Sequence, residues 1–257
     1  MTRTALTAAA LLVTLCIGVA AETSVDTGTD TGTPPASESQ DSTSRTATTS
    51  RAHTDVKGAI EGSLRLLMLE HLGRIAIQEK TRRELSGPFF SDYARSVHMP
   101  DHWADGDGWF VNYVGHPIHG AAAGYMWIDH DPHGWDEKLF SGGYWASRGR
   151  AAAWSAAFSL QFEFGPLSEA SIGNVGLNPV SRGWVDHVIT PAGAFALMVG
   201  EDAIDRSFLK WVERRTTNKF VRGGLRTAAT PGRMLSNIAN GRAPWFRDGR
   251  PLSWDGK

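Results

Sequence analysis

Two histidines three residues apart, His116 and His119, lie in an otherwise aromatic and apolar stretch, WFVNYVGHPIHGAAAGYMWI from Trp109 to Ile128, with Asn112 four residues before the first. Residues three and four apart share a helix face, so Asn112, His116 and His119 address one direction if the stretch is helical. Pro117 between the histidines either bends that helix or starts it afresh. Further on, Glu163 stands inside the aromatic run Phe162 to Phe164, Glu169 follows Gly165-Pro166, and Asp186 precedes an apolar run with Thr190 four residues later. Unpaired burial of a carboxylate costs several kcal/mol, so Glu163 must be exposed, protonated or matched to a histidine or arginine. Imidazoles and carboxylates converging in a partly dry setting can hold a divalent metal, for which His116, His119 and Glu163 are the expected ligands. They can also run acid and base chemistry, with His116, Glu163 and Asp186 as catalytic groups and Asn112, His119, Glu169 and Thr190 as binding groups. The same residues can equally form a hydrogen-bonded network that holds helix register and does no chemistry. A structural, scaffold or binding role is the primary expectation, and a hydrolase acting on an envelope or lipid substrate is the alternative.

Several chemistries are excluded. The sole cysteine, Cys16, lies in the leader described below, so the mature chain has no disulfide, no thiol nucleophile and no thiolate metal ligand. No Gly-x-Ser-x-Gly is present, so Ser168 and Ser171 lack the context of a hydrolase nucleophile. A net charge of -1 argues against a dedicated nucleic-acid binder.

The elements that position these residues read as helices. Ile60, Leu64, Leu67, Met68, Leu72 and Ile75 recur at helical spacing within 56–85 and predict an amphipathic helix with that stripe inward; His71 sits at the boundary of the stripe. A short helix is expected over 89–97 after Gly87-Pro88. His98 to Gly108 (HMPDHWADGDG) reads as a solvated turn. An Ala-rich helix is expected over 142–164, with Trp145, Ala152, Ala153, Ala156, Ala157, Leu160 and Phe164 as its stripe, packed on Gly120 to Gly124 through small residues. Neither apolar segment reaches the roughly 20 residues of a membrane span, so a buried helix pair is expected, with shallow membrane contact as the alternative. A last helix pair begins at Trp184, with Pro191 near its start, and Glu201, Asp202 and Asp205 are expected to pair at i,i+4 with the following basic residues on the wet face. The expected fold is all-α, a compact bundle of about five to six helices with a close-packed Gly/Ala-rich pair.

Residues 1 to 21 read as a secretory signal peptide: Arg3, an apolar run from Ala8 to Val19, and small residues at Val19-Ala20-Ala21. Leu15 before Cys16 is too large for a lipid-modification site. Residues 22–55, rich in Thr, Ser, Asp and Gly, read as a disordered tether, 56–221 as the helical domain, and 222–257 as an Arg/Trp-rich extension packed on it. Export to the periplasm or envelope is therefore expected. Arg222, Arg226, Arg233, Arg242, Arg247 and Arg250 with Trp245, Phe246 and Trp254 suggest either a strap or contact with a membrane surface or envelope component.

The order DGDGWFVNYVGHPIHGAA from Asp105, then Phe162-Glu163-Phe164, Ser168-Glu169-Ala170-Ser171 and Val185-Asp186-His187-Val188-Ile189-Thr190-Pro191 resembles an uncharacterised bacterial envelope family, a domain of unknown function. Its pattern is Asn-Tyr-x-x-His-Pro-x-x-Gly, a Glu-containing helix and Asp-x-x-x-Thr-Pro, and the resemblance covers about Asp105 to Glu201. Ser236-Asn237 and Pro244-Trp245-Phe246-Arg247 are similar to a tail of some members. Larger relatives add an outer-membrane β-barrel, for which this chain has no alternating strand pattern. More loosely, the helix His, helix-end Glu and helix-start Asp are similar to small helical lipoproteins and the VanZ-like membrane family, a similarity that picks His116, Glu163 and Asp186.

Overall fold

A computed structural model describes residues 53–77, 79–97, 100–171 and 182–252. The leader and nearly all of the expected tether lie outside the described residues. The fold is all-α. Its helices are α1 (Val56–Ile77), α2 (Glu79–Glu84), α3 (Phe89–Ser96), α4 (His116–His130), α5 (Gly142–Phe164), α6 (Val185–Ile204), α7 (Lys210–Glu213), α8 (Lys219–Ala229) and α9 (Pro231–Ala239). No helix among the described residues is long and apolar enough to cross a membrane.

Helix α4 is the centre of the bundle and packs on α1, α5, α6 and α9. Enclosure on every side explains why His116, Pro117 and the whole of Gly120 to Ile128 are buried, and why the run is apolar all round instead of striped. Pro117 cannot donate an amide hydrogen, and its ring would strike the carbonyl one turn back. The chain absorbs it with a π-helical turn, Val111–Gly115, in which the His116 amide donates to the Val111 carbonyl. His116 thus leaves the turn on a defined bearing.

Backbone proximity sets the packing. A Cβ added at Gly120 would lie 2.6 Å from Ser155 Oγ of α5 and 2.8 Å from the Thr190 carbonyl oxygen of α6. One added at Gly124 would lie 2.6 Å from Met198 Sδ and 3.4 Å from the Ala151 carbonyl oxygen. The expected small-residue surface at Gly120 to Gly124 is present, and it serves two neighbours at once. On α5 the buried face is Ser147, Ala151, Ser155, Phe158, Ser159 and Phe162 rather than the Ala152, Ala153, Ala156 and Ala157 stripe, because serines share the small volume that close approach needs.

Helix α1 corrects a second expectation. Its inward face is Ala59, Gly62, Ser63, Leu66, Leu67 and His71, whereas Ile60, Leu64, Met68 and Leu72 are about half exposed. Gly62 approaches Met126 and Asn240 too closely for a larger residue, so small side chains, not the large apolar ones, turn toward α4. His71 Nε2 pairs with the Leu167 carbonyl oxygen at 3.0 Å, and the ring stacks on Phe162.

The acidic run after α6 turns inward as well. Glu201 accepts from the Gly232 and Arg233 amides, at 2.7 and 3.1 Å, at the start of α9. Asp202 accepts from buried Arg148 at 2.7 Å and from the Tyr144 hydroxyl at 3.0 Å. Asp205 holds Arg247 at 3.0 Å and also Arg250. The expected wet i,i+4 pairs are replaced by partners between 31 and 58 residues away in sequence. Pro191 is likewise internal to α6 and not at its first turn, so the helix gives up the bond to the His187 carbonyl there. The expected boundary at 221/222 falls inside α8, and α9 packs directly on α4.

Replacing Gly120 by alanine should therefore destabilise the fold by about 1–3 kcal/mol in urea denaturation, since one of the obstructing atoms belongs to backbone. Unchanged stability would show that α4 does not approach α6 this closely.

Candidate functional site

Three helix ends converge at one end of the bundle. His116 begins α4, Glu163 is the penultimate residue of α5, and Asp186 is the second residue of α6. Each offers a donor atom, and these atoms lie within 4.8 Å of one another in buried surroundings. His116 Nε2 is 3.4 Å from Asp186 Oδ1. The trio expected for chemistry is thus brought together.

Of the expected metal set, His119 stands apart. Its Nδ1 lies 2.9 Å from Glu70 Oε1, and its ring is held by Phe158 and Phe162 at centroid distances of 5.0 and 4.5 Å. Its other ring nitrogen, Nε2, is buried without a hydrogen-bond partner. Glu169 is turned to Arg74 and so lies outside the trio. Asn112 is buried and donates through Nδ2 to Asp105 Oδ1 at 2.7 Å. Thr190 is fully buried one helical turn beyond Asp186.

Asp105 and Glu70 escaped the sequence reading. Asp105 lies in the polar connector, which is largely exposed over 101–108 as a solvated turn should be, yet is pinned by backbone: His102 bridges Gly183, and the Trp184 and Val185 amides donate to the His102 and Trp103 carbonyls. This pairing brings the Asp105 carboxyl to that of Asp186, with which it shares a hydrogen bond. Tryptophans at 103, 109 and 184 rim this end of the bundle, Trp103 donating to the Tyr113 hydroxyl and Trp109 stacking on the Tyr113 ring.

Comparison with protein-family models, curated proteins and solved structures returns no match. The site's electrostatics therefore carry the reading. Desolvation, reinforced by the neighbouring charges of Glu163 and Asp105, pushes Asp186 up to about 9. Desolvation raises Glu163 to about 7 even though Arg74 and His119 pull it back. Burial drives His116 down to about 4, helped by His119. Burial raises Asp105 too, but hydrogen bonds from Asp186, Asn112 and the Asp107 amide outweigh it and hold the group below its ordinary value. At neutral pH His116 and Asp186 are consequently a neutral imidazole beside a protonated carboxyl, not an ion pair. The cluster avoids accumulating negative charge by retaining protons.

These shifts have a signed consequence. Above the ordinary carboxyl range, folded Glu163 and Asp186 keep protons that the unfolded chain has released, so their contribution to stability is lost as pH rises toward 7 and then 9. His116 and His187, both lowered to about 4 by burial, act oppositely but only below their ordinary 6.5. Glu201, raised to about 7 mainly by burial, adds to the fall. The melting temperature of the metal-free protein should decline between about pH 6.5 and 9. Glu163→Gln should shrink that decline without abolishing it, and a flat profile in the wild type would contradict the buried, protonated carboxyls.

Proposed function

We propose that the protein is an exported cell-envelope protein whose His116, Glu163 and Asp186 form a divalent-metal centre of the hydrolytic type. The observation that carries this is the convergence of three metal-competent donors from three helices. Around them stand buried polar atoms without hydrogen-bond partners: Asn112 Oδ1, His119 Nε2, Asp186 Oδ1 and Thr190 Oγ1. A purely structural network satisfies its members, since an unpaired buried polar atom costs about 1–3 kcal/mol. A cation would replace the retained protons as the neutraliser of two desolvated carboxyls.

The donor set selects the ion. One imidazole and two carboxylates suit zinc, manganese or ferrous iron better than magnesium or calcium, which favour all-oxygen surroundings. The three donor atoms, within 4.8 Å of one another, would have to draw closer to hold one ion. Three protein ligands leave a position for water, and the ion would lower the pKa of that water. Were such an ion bound, His119, oriented through Nδ1 by Glu70, would be the neighbouring imidazole available for proton transfer. The envelope location rests on the leader composition and on the resemblance carried by Asn112 to Gly120.

Mature protein purified without a histidine tag should carry close to one zinc, manganese or iron per chain by elemental analysis. Glu163→Gln and Asp186→Asn should lose it, at least tenfold in affinity, while staying folded by circular dichroism. A wild-type protein that is metal-free, and whose melting temperature none of these ions raises, returns the cluster to a structural role.

A further inference from the structure

The far end of the bundle carries a surface that the metal centre does not use. After α6 the chain passes through a π-helical turn, Asp205–Leu209, into α7, and then turns into α8, which packs back on the π turn. Leu209 is buried and anchors this corner. The outward face runs Ile204, Phe208, Trp211 and Arg215 at helical spacing. Phe208 stacks on Trp211, and the Arg215 guanidinium lies 4.0 Å from the Trp211 ring centroid. On α8, Gly223 and Arg226 face inward, and Phe220 in its first turn is 80% exposed, among the most exposed large apolar side chains described.

The charge at this corner has one sign. Lys210, Arg214 and Arg215 are exposed and Lys219 is half-buried. The acids of the same stretch are withdrawn: Asp205 is buried against Arg247, and Glu213 is held by Arg226 at 2.7 Å and Arg250 at 3.0 Å. Aromatic residues ringed by unopposed cations match a surface that is anionic at its face and apolar just beneath. A protein partner would need complementary acids.

We propose that this corner, residues 204–221, docks the protein on an anionic lipid surface. Phe208, Trp211 and Phe220 enter the headgroup boundary while Lys210, Arg214, Arg215 and Lys219 meet lipid phosphates. The extension 222–257 supplies a different service, since its Arg226, Arg247 and Arg250 hold Glu213 and Asp205 in place and keep the corner free of negative charge. Docking here leaves the His116, Glu163 and Asp186 cluster about 27 Å away along α6, turned from the bilayer toward the aqueous side.

Vesicle flotation tests this on the full mature chain. The protein should float with phosphatidylcholine vesicles containing phosphatidylglycerol and much less with phosphatidylcholine alone. The combined substitutions Trp211→Ser and Phe220→Ser should weaken binding about tenfold or more. Charge removal at Lys210, Arg214 and Arg215 by glutamine should lower it about a hundredfold. Because a variant can misfold, the wild type is also read directly: tryptophan emission should shift to the blue on vesicles and be quenched by brominated lipid. Absence of flotation with the anionic vesicles overturns the proposal. So does flotation unchanged in both variants, binding to DNA or heparin but not vesicles, or self-association that removes the exposed aromatics. Glu163→Gln should float like the wild type, so failure of the metal centre and failure of docking are separately visible.

Discussion

The approach of α4 to α5 and α6 at Gly120 is the constraint on which the rest depends. At that residue there is no room for a methyl group, between the Ser155 hydroxyl on one side and the Thr190 side chain and carbonyl on the other. His116 is one turn before Gly120, Asp186 one turn before Thr190, and Glu163 two turns beyond Ser155. Because α5 runs opposite to α4 and α6, all three offsets lead to the same end of the bundle. The cluster is therefore a geometric consequence of the crossing: helices pinned this tightly hold residues one or two turns away within a few ångströms of each other.

The same tightness keeps the cluster dry, and dryness decides its protonation. Carboxyls brought this close cannot both ionise in a medium of low polarisability, so the charge that survives is concentrated on Asp105, where three hydrogen bonds receive it. Arg74 beside Glu169 and His119 beside Glu70 balance the surroundings from α1. The π-helical turn before His116 belongs to this arrangement too. It absorbs Pro117 without ending the helix, so that Asn112 remains on the wall facing Asp105.

Much of this was legible from sequence wherever a polar residue interrupts an apolar helical run. His116, Glu163 and Asp186 stand out because nothing near them in sequence can satisfy them. The all-α class and the limits of α5 follow from the same periodicity. The face of α1 did not, because periodicity weighs side-chain size and apolarity, whereas the distance between backbones selected Ala59, Gly62 and Ser63. Glu201, Asp202 and Asp205 looked wet because their partners, Arg148, Arg247, Arg250 and the amides opening α9, lie far off in the chain. Asp105 was hidden for a similar reason, since its burial depends on a backbone pairing across to Gly183.

Those inward acids also explain why the two ends of the bundle differ. At the end formed by His116, Glu163 and Asp186, carboxyls outnumber nearby cations and the solution is to keep protons. At the other end the arginines of the last thirty-odd residues fold back over Asp205 and Glu213, and that acidic pair is neutralised by guanidinium instead. Arginine stays charged at any physiological pH, so that end is fixed, whereas protonated carboxyls can exchange their protons for another positive charge. One acidic cluster is thus closed by the chain's own cations, and the other by the protons that it keeps.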